Sequence, residues 1–363
     1  MSSLQLILVG GFLGSGKTTA IANACKVLSN KGITTSVITN DQGDYLVDSR
    51  FIKNTGIPFA EVTGGCFCCN YNQLDSQISL LKKDYNPSVI FAEFVGSCTD
   101  LIATVLKPLL EYRASDIEQV TFSSFVDVQL LLMHLQGKTL PFSVETNYIW
   151  EKQIEEAEIL IVNKIDLLSK TESEALQLLM KGSYSSKQIL FQNSLDNSSV
   201  SQWIDVIDKS KKGQVHKSID IDYNIYGAGE ANLAWLDEEI EITSSNNSSV
   251  ELAYSFIKEL SIDIVKKELP IGHLKFYLSF NDQSLKISHT TILDKTIHEP
   301  KTFEKANTVH LLVNARIQAT PDVLREVLFD GLDRLKSKEG VTIDEKFLSY
   351  FQPGFPNPTH RMT

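Results

Sequence analysis

Residues 6–20 read LILVGGFLGSGKTTA. The apolar run Leu6–Val9 has the makeup of a buried strand, and Gly11–Thr18 fits G-x-x-x-x-G-K-[ST]. Glycines at this spacing let the backbone curl until its N–H groups point at phosphate oxygens. Lys17 would reach the β- and γ-phosphates, Thr18 would ligate Mg²⁺, and the helix that follows would offer its positive N-terminal end. A glycine-rich turn after a strand is common by itself. Here the glycines, Lys17 and Thr18 stand between a strand signal and a helical pattern, which makes Gly11, Gly14, Ser15, Gly16, Lys17, Thr18 and Thr19 the expected phosphate-binding residues.

A chain of 363 residues is longer than one core usually grows, so two domains are expected. Hydrophobic residues at 42% and charged residues at 22% suit a globular protein. No apolar run nears the roughly 20 residues of a membrane span. The opening Met1-Ser2-Ser3 lacks the basic start of a signal peptide, so the cytoplasm is the expected compartment and no membrane partner is expected. A net charge of −11 with no basic stripe argues against nucleic acid.

Working outward, strands and helices alternate. Lys17 to about Asn30 reads as a helix closed by Gly32, with Ile21, Ala24, Cys25 and Leu28 as its buried stripe, which makes Cys25 a core residue. Strand patterns follow at Thr34–Thr39, Ile57–Val62, Ser88–Glu93, Gln119–Asp127, Glu158–Asn163 and Gln188–Asn193. Helical patterns lie between them at about Asn70–Lys83, Thr99–Glu111, Val144–Glu156 and Glu172–Lys181, with a last helix around Trp203. This order predicts an α/β fold: a mostly parallel sheet with helices on both faces and ligands at the carboxyl ends of its strands.

Residues 1–212 are expected to form that domain, with 213–249 a linker carrying an edge strand over Ala231–Thr243. A smaller α+β domain over 250–340 would contain a helix at Val250–Lys267 and strands at His273–Phe280, Leu285–Ile292 and Thr308–Arg316. Its last helix would be announced by Thr320-Pro321. Strand alternation places His273 and His310 opposite the apolar positions, where solvent exposure is expected; His289 and His298 are scattered nearby. Residues 341–363 read as a proline-rich tail, extended and without fixed structure, although its aromatic and proline residues could dock on a partner.

Asn163-Lys164-Ile165-Asp166 fits N-K-x-D at the end of a late strand. Guanine presents N1–H and N2–H₂ side by side, so the Asp166 carboxylate can accept both; adenine would leave it unpaired. Asn163 can bond the ring edge and Lys164 can lie along the base. GTP is therefore the expected nucleotide.

Gly64-Gly65-Cys66-Phe67-Cys68-Cys69 places three of the five cysteines within four residues. Thiolates select Zn²⁺, Co²⁺, Ni²⁺ or Cu(I), and the glycines permit the bend that lets three sulfurs converge. A four-coordinate ion would need a further ligand. Two other readings stand beside this one: three small residues in a tight turn, or a disulfide joining Cys66 to Cys68 or Cys68 to Cys69. A bond between adjacent cysteines is strained, which keeps the metal reading ahead. Cys98 reads as a core residue or an extra thiol near the site.

Taken together, GGFLGSGKTT at 10–19, N-D-x-G at 40–43, GGCFCC at 64–69, E-x-x-G at 93–96 and the run Ile154–Leu168 ending in NKID resemble the CobW-like family of P-loop metallochaperone GTPases. The resemblance covers roughly residues 1–195. It implies GTP hydrolysis with Mg²⁺ and delivery of a transition metal of the zinc, cobalt or nickel class to a client metalloenzyme or cofactor-dependent enzyme, with a homo-oligomer allowed. It assigns Lys17 and Thr18 to phosphate and Mg²⁺, and Cys66, Cys68 and Cys69 to the transition metal. Glu93 falls near Mg²⁺ or the attacking water, and Asn163, Lys164 and Asp166 hold guanine. Asp41, Gln42 and Glu93 are the candidates to orient water or hold Mg²⁺, and with no arginine or histidine standing out, turnover without a partner should be slow. The chain departs from the family where Gly96 leads into Ser97-Cys98-Thr99-Asp100 instead of a proline, and where a histidine-rich stretch is missing. The alternative functions are a GTPase that gates or matures a metallocofactor enzyme, a thiol-redox sensor that binds GTP, and a nucleotide-dependent kinase.

Overall fold

The computed structural model describes residues 4–43, 46–185, 187–209, 216–290, 300 and 302–363. Strands β1 (Leu4–Gly11), β2 (Thr35–Asn40), β3 (Phe59–Val62), β4 (Val89–Glu93), β5 (Ile117–Asp127), β6 (Ile159–Asn163) and β7 (Gln188–Gln192) form one sheet in the order β3-β2-β4-β1-β5-β6-β7. Neighbouring strands run parallel. Helices α1 (Lys17–Asn30), α2 (Val47–Asn54), α3 (Tyr71–Tyr85), α4 (Lys107–Tyr112), α5 (Val128–Leu135), α6 (Val144–Glu156), α7 (Lys170–Ser183) and α8 (Asn197–Asp208) connect and cover the strands. Two-residue alternation in β1 divides the interior: Leu4, Leu6 and Leu8 join one core with α3 and α6, while Ile7 and Val9 join another with α1 and Trp203 of α8. The α/β fold is as the alternation of patterns implies, and Cys25 and Cys98 are both core residues.

The second sheet is antiparallel, in the order β10-β9-β11-β8-β12. Its elements are α9 (Tyr223–Ala231), β8 (Leu233–Ser244), α10 (Ser249–Lys266), β9 (Ile271–Phe280), β10 (Gln283–His289), β11 (Thr308–Gln318), α11 (Pro321–Lys336) and β12 (Val341–Phe351). Helices α10 and α11 lay Phe256, Leu260, Leu324 and Leu328 on Leu274, Phe276 and Leu278. The Thr320 hydroxyl accepts from the Val323 N–H at 3.3 Å, the cap that Thr320-Pro321 announces.

Three differences from the sequence reading have physical causes. Residues 341–351, expected to begin the tail, form β12; an irregularity between Glu345 and Phe347 breaks the alternation that would have marked the strand. With β12 on its far side, β8 lies inside the sheet and is not an edge strand. The face of β9 and β11 opposite α10 and α11 is covered by the first domain, not by water: Tyr277 and Leu312 pack on Val47 and Phe51 of α2. His273 is therefore only 5% exposed, contrary to expectation, while His310 is exposed. Helices α2, α5 and α9 were not anticipated. Asp44, His298, residues 291–292 of the expected strand and 211–215 of the expected boundary lie outside the described residues. Among the described residues no helix is long and apolar enough to cross a membrane.

The helix expected at Thr99–Glu111 starts as a wide turn over Ile102–Leu106 before becoming α4. Its first N–H groups are received by Glu156 of α6, whose Oε1 accepts from Ile102 at 2.6 Å. Burial pushes this carboxyl from 4.5 up to about 8. A carboxyl whose proton is retained in the fold stabilises fully below about pH 4.5 and loses that contribution as pH rises through about 8. The urea midpoint of the wild type should therefore fall over this interval. Glu156→Gln should flatten the decline; an equally steep decline in the variant would remove Glu156 as its source.

Candidate nucleotide and thiol sites

The phosphate loop leaves β1 at Gly11 and enters α1 at Lys17. Gly11 (φ 122°) and Gly14 (φ 71°) take backbone conformations that L side chains avoid. A Cβ at Gly11 would lie 2.1 Å from the Phe125 carbonyl oxygen, so the loop's close seat on β5 also demands glycine. Lys17 is 6% exposed and donates to the carbonyls of Gly11 (2.8 Å) and Phe12 (3.2 Å). Burial lowers its pKa to about 8, against the attraction of Glu93. The Thr18 hydroxyl donates to Glu93 Oε1 at 2.9 Å, while Glu93 Oε2 is buried with no partner among the described residues. Burial raises the Glu93 carboxyl. Gly14, Gly16, Lys17, Thr18, Thr19, Asn40, Asp41, Glu93 and Lys164 line one cleft.

At the end of β6, Asn163 is used on both sides: its Nδ2 donates to the Ser15 carbonyl at 2.7 Å, and its Oδ1 accepts from the Ser194 hydroxyl at 2.7 Å. It braces the phosphate loop. Lys164 donates to Asp127 Oδ2 at 2.7 Å, and Asp166 is exposed. The motif thus leaves one free carboxylate where a base could dock.

The cysteine loop lies between β3 and α3. Gly64 (φ 70°) starts its bend, and the Cys69 and Asn70 N–H groups both donate to the Cys66 carbonyl. Cys66 and Cys68 are joined as a disulfide and buried; the Cys69 sulfur is half-buried, 3.9 Å from that of Cys68. The three sulfurs lie within 4.8 Å of one another. A tetrahedral zinc at about 2.3 Å from each sulfur separates them by about 3.8 Å, so the reduced set has the right chemistry and compactness for one such ion.

Asn40, last residue of β2, ties this loop to the cleft. Its Nδ2 donates to the carbonyls of Val62 (3.0 Å) and Gly65 (2.8 Å), and its Oδ1 accepts from the Phe67 N–H at 2.8 Å. Phe67 in turn meets Phe94, the residue after Glu93, edge to face at 5.3 Å. Gln42 points away toward Glu230 of α9 at 3.5 Å; Glu230 accepts from the Ser97 hydroxyl at 2.7 Å, and burial pushes its carboxyl up to about 8. Asp41 accepts from Arg316 of β11 at 3.0 Å.

Sequence reasoning missed two contributions. The first is the second domain: Trp235, His273, Lys275, Lys286, His289 and Thr290 line the cleft from the far side. The alternating polar positions of β9 held the signal, but they read as solvent-facing without knowledge of what covers them. The second is the chain end, expected to lack fixed structure. Thr359 donates its N–H to the Cys68 carbonyl and its hydroxyl to the Cys69 carbonyl, both at 2.8 Å. His360 packs edge-on against Tyr71 at 4.9 Å, and Arg361 reaches the buried Asp100 at 2.7 Å. Burial raises the Cys69 thiol pKa, opposed by a hydrogen bond from the Asn357 backbone. Under reducing conditions, deleting residues 357–363 should speed alkylation of Cys69 several-fold relative to the buried Cys25; equal rates would show that the tail does not shield the loop.

Known proteins share part of this sequence. A zinc chaperone YeiR from Escherichia coli is 29% identical over 180 residues, 47% of this chain and 49% of that protein. A zinc chaperone CobW from Sinorhizobium is 26% identical over 190 residues, 47% of this chain and 53% of that protein. The chain thus spans about half the length of the curated relatives it matches. Among solved structures, HypB from Helicobacter pylori in complex with nickel aligns with 61% of this chain and 93% of that one at 15% identity and a TM-score of 0.43. The family model described as CobW/HypB/UreG, nucleotide-binding domain, matches residues 5–191, more than half of the 363, and the chain belongs to that family.

Proposed function

We propose that the protein is a GTP-hydrolysing metal chaperone that binds a transition metal at Cys66, Cys68 and Cys69 and passes it to a client protein. The observation that carries this reading is Asn40. One side chain lines the nucleotide cleft and holds the cysteine loop by two hydrogen bonds, to Gly65 and Phe67, with a third to the end of β3 at Val62. A nucleotide-dependent shift of β2's end would then be felt directly at the sulfurs. A coupling of about 1–3 kcal/mol changes metal affinity roughly 5–150-fold, enough to separate capture from release. The relatives named as zinc chaperones favour zinc as cargo.

In this reading Lys17 exchanges its own loop carbonyls for phosphate oxygens, the loop N–H groups and the start of α1 receive the rest, and Asp166 accepts guanine N1–H and N2–H₂. The Thr18 hydroxyl and the unpartnered Glu93 oxygen are hard oxygen donors of the kind Mg²⁺ takes. When bound, that ion neutralises charge on the transferring phosphate. Glu93, Asp41 and Asp48 are the carboxylates that line the cleft, and Asp41 accepts from Arg316. Turnover in the absence of a partner is expected to be slow, and the compartment cytoplasmic.

The disulfide between Cys66 and Cys68 favours a second reading, a GTP-binding thiol sensor. The two are separable, because a disulfide and a three-thiolate metal site exclude each other. Oxidised and reduced protein, both freed of metal by a chelator, should bind GTP alike if the loop serves metal. A redox-dependent GTP affinity without metal would replace the chaperone reading by the sensor.

Lys17→Ala should abolish GTP turnover and leave the circular-dichroism spectrum of the apo protein intact; unchanged turnover would remove the phosphate-loop assignment. Zn²⁺ titrations of reduced protein with GDP and with a non-hydrolysable GTP analogue should give different affinities. Cys68→Ser should weaken binding in both states, whereas Asn40→Ala should retain binding and lose the difference. Equal zinc affinity in the two nucleotide states of the wild type would reject coupling through Asn40.

A further inference from the structure

The cleft at the phosphate loop is closed by the second domain. Gly14 is pressed so tightly that a Cβ there would meet the Thr290 methyl at 2.3 Å and the Gly272 carbonyl at 2.9 Å. Across from Lys17 and Glu93 stand His273 and Lys275 of β9, Lys286 of β10, and Thr290. Five buried polar atoms on cleft-lining side chains have no partner among the described residues: Glu93 Oε2, Trp235 Nε1, His273 Nε2, His289 Nε2 and Thr290 Oγ1. Four of the five come from the second domain. Orphaned polar atoms on side chains that line one cavity from both sides mark a place built for a polar ligand.

Charge identifies that ligand. Lys17, Lys164, Lys275 and Lys286 line the cleft together with the carboxylates Asp41, Asp48 and Glu93, so cations outnumber anions even with all three acids ionised. Asp48, in α2, takes both second-domain lysines: Lys286 donates to its Oδ1 at 2.7 Å and Lys275 to its Oδ2. All three side chains are largely buried, at 17%, 13% and 13% exposure. Lys275 is near enough to act electrostatically on both Lys17 and Glu93. Asp166, the candidate base reader, is not part of this lining. The second-domain lysines therefore sit at the phosphate end of the cleft.

We infer that Lys275 and Lys286 are phosphate-binding residues of the nucleotide site, held by Asp48 until the terminal phosphate of a nucleoside triphosphate takes Asp48's place. This rests on the guanine-nucleotide reading above and extends it to the second domain. Phosphate oxygens and the Asp48 carboxylate compete for the same ammonium groups, so a triphosphate loosens the hold of β9 and β10 on α2. The domain boundary thereby becomes sensitive to whether the last phosphate is present. No bond to the nucleotide is made or broken in this step.

The test is equilibrium binding of GDP and of a non-hydrolysable GTP analogue, with Mg²⁺, to the full chain. Lys275→Gln should weaken the analogue about tenfold or more and GDP by less than threefold, and Lys275→Arg should restore the analogue. Asp48→Asn, which frees both lysines, should tighten the analogue. Opposite signs for the two variants distinguish phosphate binding from a structural role, which would weaken binding in both. An unchanged ratio of analogue to GDP affinity in Lys275→Gln overturns the inference, as does equal or weaker analogue binding by Asp48→Asn should Lys275→Gln fail to fold. If the wild type binds neither GDP nor the analogue, the nucleotide reading itself falls; if it binds both and the variants do not differ, only this extension falls.

Discussion

Arg316 is the buried cation on which the relation between the two domains depends. Its side chain is fully buried, with Nη1 on Asp237 Oδ1 at 2.8 Å, Nη2 on Asp41 Oδ1 at 3.0 Å, and its guanidinium 3.9 Å above the Trp235 ring. Burial works against the charge, yet Asp237 and Asp41 more than offset it and raise the Arg316 pKa. A desolvated guanidinium is tolerated only with such geometry, and removing one partner leaves an uncompensated charge. Two of its contacts come from its own sheet and the third from the loop after β2. The Asp41 carboxylate is therefore held by the second domain as well as by its own loop, where the Gly43 N–H donates to the same Oδ1 at 3.2 Å.

From that anchor the site's layout follows. Asp41 is held by Arg316; its neighbour Asn40 holds the cysteine loop; α2, a few residues later, is bound through Val47 N–H to Asn314 Oδ1 at 2.7 Å and through Asp48 to two lysines. One short segment thus touches the nucleotide cleft, the thiols and the second sheet. A segment with three sets of partners can move only if all three adjust, which is the physical content of coupling between sites. The chain end adds a fourth contact from outside, bonding the carbonyls of Cys68 and Cys69 through Thr359.

Much of the first domain was legible. Its inner strands β1, β4 and β6 are buried on both faces and read as continuous apolar runs, and the phosphate loop, N-K-x-D and C-x-C-C each carry their chemistry in a few adjacent residues. Roles were less legible than positions. Asn163, expected at the base edge, also braces the Ser15 carbonyl and the Ser194 hydroxyl, a contact that no local pattern announces. Asp41, a candidate to orient water or hold Mg²⁺, is paired with Arg316, 275 positions away, a partner no local pattern announces. His273 was expected in water because a polar strand face is the same string of letters whether solvent or another domain covers it.

The sequence by itself determined the parallel sheet, the loop at its first strand, and the gathering of three sulfurs between glycines and a helix, because each depends on local periodicity or on residues a few positions apart. Only the tertiary structure decided that β8 is interior, that residues 341–351 are a strand, that the chain end lies on the cysteine loop, and that β9 and β10 close the phosphate cleft. Those outcomes depend on pairings between residues far apart in the chain, from 65 positions for Thr243 and Thr308 to 290 for Cys69 and Thr359, and burial of a polar face is a property of its neighbour rather than of its own pattern.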